Sequence, residues 1–187
     1  LMNKGKIIVL TGASSVGKGV IRDALMKDKD LHLFYSISVT TRPAKENEED
    51  GVDYYFVDHH AFARALKNQE LLEYTEFGGY YYGTPAQQVD FLVNQGKNVL
   101  VEVEAQGVGQ IKLNRPDAIA FFVVPESLEE LEKQIRKRYR DEDNVQQRLN
   151  KAKVELELQP LFTHVVSNKD IDEAVMEIKN TILNICK

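Results

Sequence analysis

Ile7-Ile8-Val9-Leu10 runs, after Thr11, into Gly12-Ala13-Ser14-Ser15-Val16-Gly17-Lys18, and a helical pattern follows. A short, β-branched apolar run with no polar alternation predicts a strand buried on both faces, which is the setting a parallel sheet covered by helices provides. The two glycines let the backbone curl so that successive N–H groups face inward as an anion nest. The helix after the loop adds its positive N-terminal end, and Lys18 supplies a point charge suited to the β- and γ-phosphates of a nucleotide. A glycine-rich turn with an exposed lysine would need neither the strand before it nor the helix after it.

Similar apolar runs recur at Val99-Leu100-Val101, from Ile119 to Val124 and at His164-Val165-Val166, with helix signals between them. That alternation predicts an α/β fold with a largely parallel sheet. Thr84-Pro85 reads as an N-cap and first helical position, with Gly96 able to close that helix. Ser127 with Glu130, and Asp170 with Glu173, read as capping boxes. Ile171, Ala174, Val175, Ile178, Ile182 and Ile185 form a helical stripe expected to pack on the sheet. Two stretches break the pattern. Residues from about Ser36 to Thr84 are rich in Tyr and polar groups and read as a small inserted subdomain. Residues from about Ser127 to Lys153 are dense in charge and read as a solvated helical hairpin able to move as a lid.

With 187 residues the chain is long enough to bury one sizeable core. No apolar run approaches the roughly 20 residues of a membrane helix, and no signal peptide is expected. Leu1, ahead of Met2, carries no argument. A single cysteine, Cys186, excludes an intramolecular disulfide and a cysteine metal cluster, which suits a reducing cytoplasm. The net charge of −5 offers nucleic acid no global attraction. The four histidines show no ligand spacing with acids or cysteines, and none is assigned any chemistry.

The loop lacks one element of its full signature, a Ser or Thr directly after the lysine to reach Mg²⁺. Gly19 and Val20 follow Lys18, so Ser14, Ser15 or water must complete a metal shell. Val99-Leu100-Val101-Glu102 has the form of an apolar strand ending in an acid, and Glu102 is the carboxylate able to reach Mg²⁺ through water.

Further motifs carry a family resemblance. Ser36-Ile37-Ser38-Val39-Thr40-Thr41-Arg42-Pro43 is followed by Glu48, Gly51, Asp53, Tyr54 and Phe56. Then come Leu72-Glu73-Tyr74, Tyr81-Tyr82-Gly83-Thr84-Pro85 and Glu102-Val103-Glu104-Ala105-Gln106-Gly107, and later Arg138, Arg148 and Asn168. In order and spacing these resemble the guanylate kinases, from the first strand to the last helix. The resemblance implies a three-layer P-loop α/β fold as a single domain over residues 2–187. Its core would comprise 2–35, 86–126 and 154–187, with a GMP-binding subdomain at 36–85 and a helical lid at 127–153. It implies phosphoryl transfer from ATP to GMP, with Mg²⁺ as cofactor. ATP and GMP are the implied partners and a homodimer is allowed; neither nucleic acid nor membrane is expected.

The same resemblance implies residue roles, and the chemistry of each fits. Guanine presents N1–H and an exocyclic amine, two adjacent donors that the Glu73 carboxylate accepts, while its O6 suits the hydroxyls of Ser38 and Thr84. Adenine presents the opposite pattern, and mismatched buried polar groups discriminate by several kcal/mol, on the order of what selective sites reach. The GMP phosphate falls to Arg42, Tyr54 and Tyr82, with Lys45, Gly83 and Glu102 completing that site. Residues Gly12, Ala13, Ser14, Ser15, Val16, Gly17, Lys18, Gly19 and Val20, together with Asn168 beside the adenine, form the implied ATP site. Lys18, Arg42, Arg138 and Arg148 are the implied catalytic charges, stabilising the moving phosphoryl group.

Several positions depart from the family pattern. Val20 replaces a hydroxyl residue and Ser15 stands where glycine is usual. Lys45 replaces a second phosphate-binding arginine, Gln134 a lid arginine, and Tyr139 the glycine after Arg138. Each bears on phosphate or metal handling, whereas the guanine-reading residues are intact. The competing expectations are a catalytically weakened paralogue acting as a nucleotide- or protein-binding module, and a kinase for AMP or dTMP. Retention of Gly12, Gly17 and Lys18 argues against a module that only binds protein, and the departures leave the weakened nucleotide-binding paralogue as the alternative. Glu73 with Ser38 and Thr84 argues against a kinase for AMP or dTMP.

Overall fold

The structure, a computed structural model, describes residues 3–187; Met2, where the domain is expected to start, lies outside the described residues. The elements run β1 (Ile7–Gly12), α1 (Lys18–Lys27), β2 (Leu33–Tyr35), β3 (Val39–Thr40), β4 (Tyr55–Phe56), α2 (His59–Lys67), β5 (Leu71–Phe77), β6 (Tyr80–Pro85) and α3 (Ala86–Asn94). They continue with β7 (Asn98–Glu102), a 3-10 turn at Ala105–Gly107, α4 (Val108–Asn114), β8 (Ile119–Val124), α5 (Leu128–Arg138), α6 (Glu142–Leu156), a second 3-10 turn at Gln159–Leu161, β9 (His164–Ser167) and α7 (Ile171–Ile185). Two compact units divide the chain. One holds the residues through Ile8 with Leu33–Ile119, the other Val9–His32 with Ala120–Lys187.

In the first unit β2 and β7 pair in parallel, Phe34 opposite Val99, and the Val99 N–H reaches the Lys6 carbonyl at 2.9 Å, where β1 begins. Residues 39–85 build a separate sheet in the order β4-β3-β6-β5. β5 and β6 form an antiparallel hairpin closed at Gly78 and Gly79, both with positive φ. β5 would otherwise leave an edge of unpaired backbone groups. Helix α4 covers it with side chains: Gln110 donates to the Tyr74 carbonyl (2.9 Å) and accepts from the Tyr74 N–H (3.0 Å), and Asn114 donates to the Leu72 carbonyl (3.0 Å).

The second unit holds the other end of β1, followed in strand order by β8 and β9. β8 and β9 are parallel, with Phe122 opposite Val165. All six residues of β1 and the first five of β8 are buried, as runs without polar alternation require. α7 buries Ala174, Ile178 and Ile182 and packs against α1, which buries Ile21 and Leu25; Ile185, at the end of the expected stripe, is exposed. α5 and α6 pack on each other, and bury Leu131 and Ile135 on the one and Val145 and Leu149 on the other. The expected caps are present, with Ser127 accepting from the Glu130 N–H at 3.1 Å and Asp170 from the Glu173 N–H at 3.0 Å.

The mixed α/β fold with a largely parallel main sheet is as expected. One local expectation is corrected. α3 starts at Ala86, with Pro85 as its cap and no side-chain cap, because Thr84 belongs to β6 and its hydroxyl is committed to Glu73. The helix closes as expected ahead of Gly96, whose φ is +80°. Neither the three-residue β2 nor the seven-residue α4 gives a periodic signal long enough to read from sequence.

The turn from β1 to α1 explains its glycines. A Cβ on Gly12 would run into the Val123 carbonyl, and Gly17, the residue ahead of α1, has φ +94°. Ser15 is also left-handed, with φ +67°, a conformation that an L residue with a Cβ holds at a cost. Ser15→Gly should therefore stabilise the protein by about 0.5–1 kcal/mol, after the greater freedom of glycine in the unfolded chain is subtracted. Thermal unfolding should show a rise of about 1–4 °C in Tm. Ser15→Ala, which keeps the Cβ, should not show that rise.

Candidate functional site

In the second unit the loop from Gly12 to Gly17 is braced from three sides. The Ala13 N–H donates to the Val123 carbonyl at 3.3 Å, and the Val16 N–H turns back to the Ala13 carbonyl at 3.2 Å. Asn168, just past β9, donates from its side-chain amide to the Val16 carbonyl, while its own N–H reaches the Val124 carbonyl at 2.9 Å. Glu155, near the end of α6, accepts from the Ser14 N–H at 2.6 Å and from the Ser14 hydroxyl at 3.4 Å. Its carboxylate is only 2 % exposed and lies 3.6 Å from the Lys151 ammonium. Lys18 folds back to donate to the Gly12 carbonyl at 3.1 Å, which holds its charge over the loop. Val20 is 59 % exposed and offers no oxygen to a metal.

Arg138 ends α5 and is exposed; Arg148 is half-buried in α6 and donates from Nε to Asn144 Oδ1 at 3.0 Å. Both guanidinium groups stand beside the ring of Tyr139.

The first unit holds the other expected residues in two clusters. On the hairpin, Glu73 of β5 and Thr84 of β6 are cross-strand partners, and the Thr84 hydroxyl donates to Glu73 Oε1 at 2.8 Å. Glu73 is 4 % exposed and Thr84 is fully buried. Burial pushes the Glu73 carboxyl up to about 7; the Thr84 hydrogen bond opposes the rise and the nearby Glu104 charge adds to it. Gly107 makes room for the group, since a Cβ there would lie 2.5 Å from Glu73 Oε2. Gly83 is buried beside them, pairing with Val39.

The second cluster forms around Arg42, just past β3. Its guanidinium makes a two-pronged bond to Glu48, Nη1 to Oε2 at 2.8 Å and Nη2 to Oε1 at 2.9 Å. Glu48 also accepts from the Lys45 N–H at 2.9 Å. Arg42 holds the Glu48 carboxyl down at about 2, and Glu48, with Tyr82 also hydrogen-bonded, raises the arginine above its ordinary value. The Arg42 guanidinium lies 5.3 Å from the centre of the Tyr54 ring, and the Tyr54 and Tyr82 rings meet edge-on at 6.1 Å. Burial raises the Tyr54 phenol, and the Glu102 charge pushes it further in the same direction. Arg42, Tyr54 and Tyr82 are thus together, with Glu102 close enough to act on Tyr54. Lys45 gives its backbone N–H to Glu48 and its ammonium charge also acts on that carboxylate, although the side chain is exposed; Ser38 is half-buried, its carbonyl accepting from the Tyr55 N–H.

Three contributors escaped the sequence reading. Glu155 left a trace, because it follows Val145, Leu149 and Ala152 on the buried stripe of α6, where an unpartnered acid would not survive. Glu48 was seen as part of a motif, but nothing in its spacing reveals the bond to Arg42. Gly107 is informative only once Glu73 is known to press against it.

Among the described residues no group of three or more His, Cys, Asp or Glu could hold a metal ion, and no helix is long and apolar enough to cross a membrane. The residues present fit a hard cation only as one carried by nucleotide phosphates and water.

Comparison with known proteins places this arrangement. The guanylate kinase family profile matches residues 4–184. The guanylate kinase of Mesoplasma florum is 41% identical over 184 residues, covering 98% of this chain. The chain spans 62% of that relative's length. The guanylate kinase of Malacoplasma penetrans is 41% identical over 182 residues, covering 96% of this chain and 93% of the relative. Among solved structures, the crystal structure of guanylate kinase from Anaplasma phagocytophilum superposes with a TM-score of 0.80 at 29% identity, covering 98% of this chain and 87% of that one. A profile match over nearly every residue, joined to a braced phosphate-type loop and a buried acid–hydroxyl pair, leads to one conclusion: the chain belongs to the guanylate kinase family.

Proposed function

We propose that this chain transfers the γ-phosphoryl group of ATP to GMP, giving ADP and GDP. The observation that carries the reading is the buried Glu73–Thr84 pair against Gly107. A carboxylate there takes the two adjacent donors of guanine, and the threonine hydroxyl can turn toward O6. Adenine would set a lone pair against the carboxylate, and a buried polar mismatch costs several kcal/mol, on the order of 10³-fold or more in selectivity.

In this reading the Gly12–Val20 loop cradles the ATP phosphates through those backbone N–H groups that are not bonded within the protein; the ones of Ala13, Ser14 and Val16 are so bonded. Lys18 leaves the Gly12 carbonyl for the β- and γ-oxygens. Arg42 and the phenols of Tyr54 and Tyr82 take the GMP phosphate. One of its oxygens forms the new bond to the γ-phosphorus as the bond to the β–γ bridging oxygen breaks, and that oxygen leaves with ADP. Arg138 and Arg148 neutralise charge on the moving group. Mg²⁺ bound to the phosphates would supply further charge neutralisation, with Glu102 able to orient its water shell. Asn168 would serve the adenine end of ATP while bracing the loop at Val16. Residues 36–85 act as the acceptor-binding part and 127–153 as a lid that excludes water, within one domain whose core is 2–35, 86–126 and 154–187. The single Cys186 fits a reducing cytoplasm.

The deciding measurement is the initial rate of ADP formation from Mg-ATP with GMP, AMP or dTMP. GMP should be preferred by at least about 10³-fold in kcat/KM, and Lys18→Ala should lower turnover by about 10²-fold or more. A folded protein that turns over none of the three acceptors would leave only nucleotide binding.

Glu73 gives the reading a pH signature. With its carboxyl at about 7 in the free protein, the group is mostly protonated at pH 6 and mostly ionised at pH 8. Guanine takes the ionised form, so GMP binding must release that proton at low pH. Glu73's share of the GMP affinity should therefore be about tenfold weaker at pH 6 than at pH 8. GMP titrations over this range should show a slope that Glu73→Gln removes, the remaining slope being that of the GMP phosphate. Equal slopes in the two proteins would mean that Glu73 is not the group titrating against the base.

A further inference from the structure

Tyr139 stands directly after α5, at a position where the family resemblance puts a glycine, so its ring is not part of the family's common pattern. That ring faces two arginines. The guanidinium carbon of Arg148 lies 3.9 Å from the ring centre and that of Arg138 lies 5.7 Å from it. Arg148 is held a second time, by the Nε bond to Asn144 Oδ1 one turn earlier on the same helix. A guanidinium fixed on its face by a ring and at Nε by an amide oxygen has its two terminal nitrogens left in one plane. That pair is the fork that meets two phosphate oxygens.

We propose that Tyr139 and Asn144 are positioning residues that pre-set Arg148 for the transferred phosphoryl group, with Arg138 gathered to the same ring. The proposal rests on the phosphoryl-transfer reading above and names two residues that this reading does not use. The helix beneath Arg148 is anchored. Seven residues, two turns, further along α6, Glu155 holds the Ser14 N–H at 2.6 Å, so the helix that carries the arginine is tied at its foot to the phosphate loop. A long arginine side chain normally samples many rotamers, and ordering it in the transition state slows the reaction. Here the ring and Asn144 have ordered it beforehand. Two positions that differ from the family pattern are thereby connected. Gln134 removes one lid arginine, and Tyr139 fixes a remaining one.

The test compares the full-length chain with Tyr139→Phe, Tyr139→Leu and Asn144→Ala. Tyr139→Leu keeps bulk at the site and removes the ring; Tyr139→Phe keeps the ring. Steady-state ADP formation with saturating Mg-ATP should show kcat lowered about threefold to tenfold in Tyr139→Leu, with KM for GMP within about twofold of wild type. Tyr139→Phe should retain wild-type kcat, and Asn144→Ala should fall in the same direction as Tyr139→Leu. In arginine side-chain NMR spectra, the Arg148 Nε–Hε signal, assigned by its loss in Arg148→Lys, should be shifted by the ring current in wild type and Tyr139→Phe. It should lose that ring-current displacement in Tyr139→Leu, where only the bond to Asn144 still acts on it. An unshifted wild-type signal, an unchanged or raised kcat in Tyr139→Leu, or an equal loss in Tyr139→Phe would each overturn the proposal. A shifted Arg148 signal in a wild-type protein without GMP-dependent turnover would instead refute the kinase reading, and the catalytic purpose of the stack with it, while leaving the stack itself observed.

Discussion

The burial of β1 along its whole length is the constraint from which the loop follows. A strand with no exposed face must deliver its C-terminal end in a fixed place, and the residues after Gly12 inherit that placement. The loop then has almost no freedom of its own. Gly12 lies too close to Val123 for any side chain, the Ala13 N–H is bound to the same residue, and Asn168 and Glu155 take one carbonyl and one N–H of what remains. Backbone donors aimed at an anion act best when they need no rearrangement. Close packing fixes the backbone of the loop here, although the Ala13, Ser14 and Val16 N–H groups are spent within the protein, and the glycines are read as a consequence of crowding at Gly12 and of the left-handed turn at Gly17.

The two buried glutamates show how one side chain can serve opposite ends. Removing a carboxylate from water is costly unless the protein provides partners. Glu155 has them within its own unit: the Ser14 N–H, the Ser14 hydroxyl and the Lys151 ammonium. Glu73 has the Thr84 hydroxyl beside one oxygen, while the space that Gly107 leaves accommodates the other. Its raised pKa reflects incomplete compensation. A carboxyl so placed gains most from a ligand that brings two adjacent donors, which is the physical basis for reading a base rather than merely enclosing one. On the proposed reading the cost of burying Glu73 serves selectivity, whereas the buried charge of Glu155 braces the loop.

Much of the fold was legible because burial and periodicity write themselves into composition. The unalternated strands at Ile7 and Ile119, the stripe on α7 and the caps at Ser127 and Asp170 all follow from rules acting within a few residues. What escaped depends on contacts distant in sequence. Thr84 looks like a helix cap when read beside Pro85, and only pairing with Glu73, eleven residues earlier, shows that its hydroxyl is already engaged. α4 is too short for periodicity to reveal, although its Gln110 and Asn114 complete the edge of β5. On the candidate site the residue types came from the family resemblance, and the chemistry of guanine and phosphate fits them. The partners that orient those residues were not legible. Glu48 under Arg42, Gly107 under Glu73 and Tyr139 under Arg148 each become meaningful only with a three-dimensional neighbour.

The orienting partners bear on how the altered phosphate-handling positions should be weighed. Lys45 replaces a fork with a single charge, and from an exposed position it joins the Arg42 cluster through its N–H and its charge on Glu48. Arg42 itself is fixed by a two-pronged bond to Glu48 and by the ring of Tyr54, so one well-ordered guanidinium stands where the family pattern has two. A positive charge contributes to a transition state in proportion to how little it must reorganise, and two loosely held arginines need not exceed one that is held in place. The same reasoning applies to Gln134 and Tyr139. On the proposed reading, counting charges alone leaves out the neighbours that hold Arg42 and Arg148, Glu48 and Tyr54 for the one and Tyr139 and Asn144 for the other.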